Sequence, residues 1–406
     1  MQLQLLLQLL SICVLTVGVH LSGWAGLLIV NEDGVALRLL VAGCLFAGAF
    51  IAVAHAFLEN RLRCLTTVLI CAGVMLLTQL VALTLGAPGL RIDAGVLGAH
   101  MLQQTLLVGW IIFCFTCDWR NPWLWRTLIG VGHLSLGANL LYWIAEGCPT
   151  AFAGFGTGKN GLAALTVLTL FWGVAGYGLF SNRMDRLFAL GLIPLAILTL
   201  FASGGRSSML LIVACVLAYP LLNFIRRRPG WQAAAFLGLV AMHAAIPQIY
   251  TNIDRYPIFH TVDRLMQSYT HTLYSGRQEL WPQVIARIEQ RPWMGHGTAE
   301  SWRMIRKKHG IAQELSTHNL WLAILFETGL VGLLGMVAFL WSIWYALLNR
   351  PKSWLLSLSA AFYIGVLLRE ASEVSLTQNT LQIGLGSWAA IMSGLGWSST
   401  DDEEEN

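Results

Sequence analysis

Ser316-Thr317-His318-Asn319-Leu320-Trp321-Leu322-Ala323-Ile324-Leu325-Phe326-Glu327-Thr328-Gly329-Leu330 marks the point where the longest polar segment of the chain, Thr251 to Asn319, gives way to an apolar helix. Outside that segment the sequence alternates between apolar runs and short basic turns. Hydrophobic residues make up 56% and charged residues 11% of 406 positions, with a mean hydropathy of +0.64. A soluble domain carries about a quarter charged residues. The chain therefore reads as an all-α polytopic integral membrane protein. The excess of 25 Lys+Arg over 21 Asp+Glu is too small to argue for nucleic acid, and its placement carries more information than its size.

Polar breaks divide the chain into apolar stretches near 1–30, 35–58, 64–85, 94–117, 123–144, 160–180, 187–203, 207–225, 232–249, 319–345, 353–370 and 378–396. Most approach the roughly 20 residues that cross a bilayer, so about 12 transmembrane helices are expected. One long, mainly helical loop falls between helices 9 and 10. The first stretch exceeds one upright span and is read as a tilted helix or a short re-entrant pair. No small-residue cleavage site follows it, so it is expected to be retained. The resulting division is 1–250 for helices 1–9, 251–318 for the loop domain, 319–396 for helices 10–12 and 397–406 for an acidic, solvated and disordered tail.

Loop charges set the expected orientation. With the N-terminus inside, cytoplasmic turns carry Arg61 and Arg63, Arg120 and Arg126, Arg183 and Arg186, Arg226-Arg227-Arg228, and Arg350 with Lys352; the opposite turns hold only Arg91, Lys159 and Arg206. This satisfies the positive-inside rule. The long loop then lies outside, where its nine Lys/Arg do not count, because long loops translocate largely regardless of charge.

Of eight cysteines, only Cys148 faces outward in this topology, so no structural disulfide is expected. Cys114 and Cys117 have CxxC spacing without a second pair and read as helix packing. The run Gly154-Phe155-Gly156-Thr157-Gly158-Lys159-Asn160 departs from the phosphate-loop spacing and ends on Asn where Ser or Thr is needed. It reads as a loop opening the next helix, with Lys159 as an accessory contact for an anionic headgroup. His260, His271, His296 and His309 lack metal-ligand spacing, so no metal site is expected.

Three residues carry candidate chemistry. Arg206, in Ser203-Gly204-Gly205-Arg206-Ser207-Ser208, sits in a very short outward turn at a helix start, where backbone N–H groups and a bidentate guanidinium suit a phosphate; its alternative is a snorkelling turn residue. Arg277, in Tyr274-Ser275-Gly276-Arg277-Gln278-Glu279-Leu280-Trp281, starts an amphipathic helix in the same way, or pairs with a neighbour such as Glu279. His318 stands at the entrance to the tenth helix, with Thr317 or Ser316 available as its cap. A histidine suits a general base near neutrality, although a lone interfacial histidine is more often a packing residue. Trp281, Trp293 and Trp302 either seat the loop domain at the interface or pack within it.

In this order, Ser203-Gly204-Gly205-Arg206-Ser207, Gly276-Arg277 with Trp281, Pro292-Trp293-Met294-Gly295-His296-Gly297, and Thr317-His318-Asn319 with Leu325, Glu327, Gly329-Leu330 and Gly332 resemble the O-antigen ligase and polymerase superfamily. The topology matches over nearly the whole chain; the motifs cover Phe201 to Ser208 and Ser275 to Leu334, and the glycine doublet before Arg206 departs from the pattern. The resemblance implies a glycosyltransferase of the bacterial inner membrane that works at the periplasmic face without cofactor or metal. Its donor would be a glycan on undecaprenyl pyrophosphate. In the ligase branch the acceptor is lipid A core oligosaccharide. Arg206 and Arg277 would bind the donor pyrophosphate and His318 would act as the catalytic base of an inverting transfer. O-antigen or exopolysaccharide polymerases and protein O-oligosaccharyltransferases share that donor chemistry. A transporter or flippase, the reading from a different class, would show inverted repeats or charges deep in its spans.

Overall fold

The computed structural model describes residues 2–21, 35–59, 65–85, 94–149, 151–155, 158–252, 257, 277–297, 317–374, 376 and 381–404. Twelve long, largely apolar helices and one short helix form the described chain: α1 Gln2–His20, α2 Val35–Glu59, α3 Thr66–Leu85, α4 Ala94–Thr116, α5 Pro122–Ala145, α6 Gly158–Leu179, α7 Arg183–Ser203, α8 Arg206–Ile225, α9 Pro229–Thr251, the short α10 Arg277–Gln290, α11 Leu320–Asn349, α12 Trp354–Arg369 and α13 Leu381–Glu404. No strand occurs among the described residues. In hydrocarbon every backbone polar group must be paired within its own segment, which leaves a chain of this composition no open alternative to helices.

Each long helix falls on one of the apolar stretches read from the sequence. Eight of them, α3 to α9 and α11, are long and apolar enough to cross a membrane, while α1, α2 and α12 contribute shorter apolar segments. The first stretch yields helix only over α1; residues 22–34 lie outside the described chain. At the other end, α13 continues to Glu404, so backbone helix runs into the acidic segment expected to be a disordered end. The seven described cysteines, Cys148 among them, are free thiols.

The helices pack as neighbours α6 on α7, α3 on α11, α8 on α12, α2 on α4 and α12 on α13. Lipid tails are as apolar as leucine, so close backbone approach and hydrogen bonds drive this association. Ser359 Oγ donates to the Ala390 carbonyl at 2.8 Å, and the Tyr363 hydroxyl donates to the Leu340 carbonyl at 2.8 Å. At one end of the bundle Arg126 pairs with Asp185 at 2.7 Å, and Arg226 donates to Ser357 Oγ and to the Leu347 carbonyl. The opposite end collects the start of α6, the α7–α8 turn, the start of α11 and the connection after α12.

One helix is broken at that opposite end. Gly329, inside α11, has φ 62° and ψ −161°, which removes the helical bonds that Leu330 and Val331 would donate to Phe326 and Glu327. The turn after α10 replaces them in both directions. Leu330 N–H donates to the Pro292 carbonyl (2.8 Å) and Val331 N–H to that of Trp293 (3.2 Å), while the carbonyls of Phe326 and Glu327 accept from His296 N–H (2.7 Å) and Gly297 N–H (3.0 Å). Four backbone bonds thus lock the turn and the helix together. A Cβ on Gly329 would lie 2.4 Å from the Trp293 carbonyl, and one on Gly295 2.6 Å from that of Glu327, so both positions require glycine.

Candidate functional site

The short turn between α7 and α8 is built as the sequence suggested. Gly204 takes the left-handed conformation (φ 62°) that caps α7, and Gly205 precedes Arg206, the first residue of α8. A Cβ on Gly205 would sit 2.1 Å from that of Ala163. Glycine there lets the turn press on the first turns of α6, which carry Lys159 and Asn160. The side chains of Lys159 and Arg206 are both half-buried.

His318 has the positive φ of 49° that non-glycine residues seldom adopt. Its neighbours hold it there. Trp281, fully buried on α10, donates its indole N–H to the Thr317 carbonyl at 2.7 Å. Asn319 is the N-cap of α11, accepting from Leu322 N–H at 3.0 Å while donating through Nδ2 to the Ala371 carbonyl at 3.0 Å. Leu320 N–H donates to the Glu370 carbonyl at 2.9 Å. The cap is therefore Asn319 and not Thr317, whose hydroxyl instead donates to the Asn319 carbonyl; Ser316 lies outside the described residues. The left-handed turn at His318 carries the helix start beyond the threonine.

These bonds tie the histidine to the connection between α12 and α13, and that connection supplies Glu373. His318 Nδ1 lies 3.3 Å from Glu373 Oε2. Arg277 Nη2 lies 3.3 Å from Glu373 Oε1 and donates to the Ser372 carbonyl at 2.5 Å. Asn160 Nδ2 donates to Glu373 Oε1 at 2.9 Å. One carboxylate thus gathers residues from α6, α10, the start of α11 and the α12–α13 connection. Burial alone would raise its pKa. The hydrogen bond from His318 and the charges of Arg277 and Arg369 outweigh that and hold it below the ordinary carboxylate range.

A carboxylate only accepts, so Nδ1 of His318 is the N–H in this pair and the neutral ring carries its lone pair on Nε2. Exposure divides the cluster: the side chains of Arg277 and Glu373 are 14% and 13% exposed, that of His318 27%. The imidazole is the most exposed of the three.

His296 does not join the cluster. It stacks on Phe326 with ring centroids 5.1 Å apart and bonds the Arg287 carbonyl through Nε2 at 2.7 Å. Burial pushes its pKa down, with Arg291 and Arg287 acting in the same direction against that hydrogen bond. Trp281 packs inside its small domain, whereas Trp293 is 66% exposed. Ser275, Gly276, Trp302, His260, His271 and His309 lie outside the described residues. Arg277 pairs across the fold with Glu373; the side chain of Glu279, the alternative partner named above, lies outside the described residues. Glu373 itself was missed: its only signal was one acid in the break between the last two apolar stretches. Asn160 was visible only as the residue that spoils a phosphate loop.

The membrane helices, and an arginine and a histidine joined on one carboxylate where the helices end, define a multi-pass membrane protein with a polar site at one end of its bundle. Residues 191–337 match the family model described as O-antigen ligase, and this stretch includes Arg206, Arg277 and His318. The chain is also 26% identical over 258 residues to a protein from Pseudomonas aeruginosa named O-antigen ligase, covering 61% of this chain and 57% of that relative. The match thus spans less than two thirds of the relative's length. Over these residues the chain is similar to O-antigen ligases.

Proposed function

We propose that this protein is an O-antigen ligase of the bacterial inner membrane. It transfers O-antigen polysaccharide from undecaprenyl pyrophosphate to a sugar hydroxyl of lipid A core oligosaccharide at the periplasmic face. The observation that carries this reading is the sharing of Glu373 between Arg277 and His318. It puts a cation for the leaving group and a base for the incoming hydroxyl on two oxygens of one carboxylate.

The chemistry follows from that juxtaposition. The acceptor oxygen attacks the anomeric carbon of the donor sugar as the bond from that carbon to the pyrophosphate oxygen breaks, which inverts the centre. His318 Nε2 takes the hydroxyl proton, and Glu373 stabilises the imidazolium through Nδ1. Arg277 and Arg206 neutralise the charge that grows on the departing pyrophosphate, where preorganised guanidinium groups act more strongly than in bulk water. Lys159, half-buried on the first turn of α6, draws the anionic headgroup in. The energy is stored in the donor.

An apolar cavity is available to part of the carrier's tail. An apolar cavity of about 310 Å³ lies between α6, α8 and α12, lined by residues that include Phe171, Leu211, Cys215, Tyr219 and Phe362. Leu211 follows Arg206 by five residues on α8, roughly 7.5 Å along the axis. A pyrophosphate on Arg206 would thus have an isoprenoid path beneath it.

The test is glycan transfer from purified undecaprenyl-pyrophosphate donor to lipid A core by the reconstituted protein, with EDTA present and His318→Ala alongside. Transfer by the parent that the variant abolishes, with folding and donor binding intact, supports the reading. Elongation of the donor glycan without transfer to lipid A core moves the protein to the polymerases. Substrate transport without either reaction makes it a transporter.

A further inference from the structure

Glu373 serves three partners here, and the reaction proposed above requires one of them to leave. Arg277 donates through the same nitrogen, Nη2, to Glu373 Oε1 and to the Ser372 carbonyl. An arginine that binds a pyrophosphate aims its N–H groups at phosphate oxygens. A carboxylate still in contact with that guanidinium would repel the phosphate and share the charge meant for it. On donor binding the 3.3 Å contact between Arg277 and Glu373 is therefore the one to give way.

Glu373 must nevertheless stay on His318, because acceptor attack makes an imidazolium that needs its anion. His318 cannot hold the carboxylate alone. Its contact is 3.3 Å, and Glu373 stands on a connection outside any helix. Asn160 supplies what is missing. Its amide donates to Oε1 at 2.9 Å, the shortest of the three side-chain contacts to this carboxylate. It is uncharged, so neither donor charge nor protonation of the base changes it. It also rides on the first turn of α6, a rigid helix.

We infer that Asn160 is a positioning residue: it keeps Glu373 against His318 once Arg277 has moved to the donor pyrophosphate. This rests on the proposed function, since it needs Arg277 to serve the donor. The plainer role for the same bond is a tie between α6 and the α12–α13 connection, and kinetics separates the two. In the free enzyme Arg277 still contacts Glu373; in the donor complex the Asn160 amide is the hydrogen-bond donor left to hold it against His318. Losing the amide should therefore affect the complex alone.

The experiment is steady-state transfer across pH by the full-length protein in proteoliposomes, comparing the parent with Asn160→Leu and Asn160→Gln. For Asn160→Leu the expected result is a kcat lower by about tenfold to a hundredfold, by analogy with the loss of a hydrogen-bond partner that orients a metal-ligating histidine, with donor KM changed less than about twofold. The acidic limb of the kcat profile moves to lower pH, because a base that loses its neighbouring anion protonates less readily; the limb of kcat/KM, which reports the free enzyme, stays in place. Asn160→Gln keeps the amide and recovers most of kcat. A fall in kcat with neither limb displaced would leave only the structural tie, as would an Asn160→Gln no faster than Asn160→Leu. Arg277→Lys is the control on the premise: an unchanged donor KM there would remove the proposed function itself, whatever Asn160 does.

Discussion

His318 Nδ1 and Glu373 Oε2 face each other at 3.3 Å across the join between the start of α11 and the end of α12. The pair makes Nδ1 the N–H and leaves the lone pair of the neutral ring on Nε2, which gives Glu373 a part in the proposed chemistry as well as in the packing. Glu373→Gln keeps the shape but replaces an anion with a neutral amide. Transfer should fall by about a hundredfold or more, near the lower end of what a positioned base contributes, and steady-state assays of transfer to lipid A core measure it.

The same substitution should alter acid stability in a defined direction. The folded pKa of Glu373 lies below its ordinary value of 4.5. A depressed carboxylate contributes stability that is fully present above the unfolded pKa and is lost as pH falls through the folded one. Melting temperatures in detergent should therefore drop for the parent below about pH 4.5 more steeply than for Glu373→Gln. Parallel curves would mean that the cluster adds nothing to stability.

Arg277→Lys retains a charge but loses the forked geometry that matches a phosphate. Donor KM should rise by about tenfold or more, with a smaller change for the lipid A core acceptor. Lys159→Ala, at a half-buried position, should raise donor KM only about threefold, and added salt should shrink the difference, because a charge still open to solvent is screened.

Gly329→Ala should destabilise the protein by about 1–3 kcal/mol or more, since it adds a left-handed non-glycine residue and brings a methyl group onto the Trp293 carbonyl. Gly98→Ala, in α4 with nothing within 4 Å of the added carbon, is the control and should be neutral or mildly stabilising. Thermal unfolding of the two variants side by side reads the contrast.

Asn319→Ala removes both the cap on Leu322 and the bond to the Ala371 carbonyl. The cap alone is worth about 1 kcal/mol. Transfer should fall further than stability accounts for, because the second bond holds the histidine segment to the connection that carries Glu373. Activity compared with melting temperature separates the two effects.

The sequence made the helices legible because apolar runs of membrane length have few other fates. It made Arg277 and His318 legible because each stands at a helix start beside a polar break. Glu373 was not legible, since an acid in a short turn gains its meaning only when α10 and α11 are brought to it. Asn160 was hidden for the same reason, behind a glycine-lysine motif that drew attention to its neighbour. The cap was misplaced onto Thr317 or Ser316 because a backbone reversal at a histidine leaves no mark in composition. The break at Gly329 was likewise silent: its lost bonds are restored by residues that precede it by more than thirty positions, and the apolar run continues through it unchanged.

That restoration also orders events during synthesis. The turn 291–297 leaves the ribosome before α11 exists, so its carbonyls and N–H groups await partners that arrive later. The second half of α11 cannot be satisfied in lipid until it meets them, at several kcal/mol for each unpaired group. Insertion of α11 is thus templated by a segment already made. A chain with 291–297 deleted would reach the bilayer with a helix that has no means of closing, and quality control, more than lost catalysis, would set its fate.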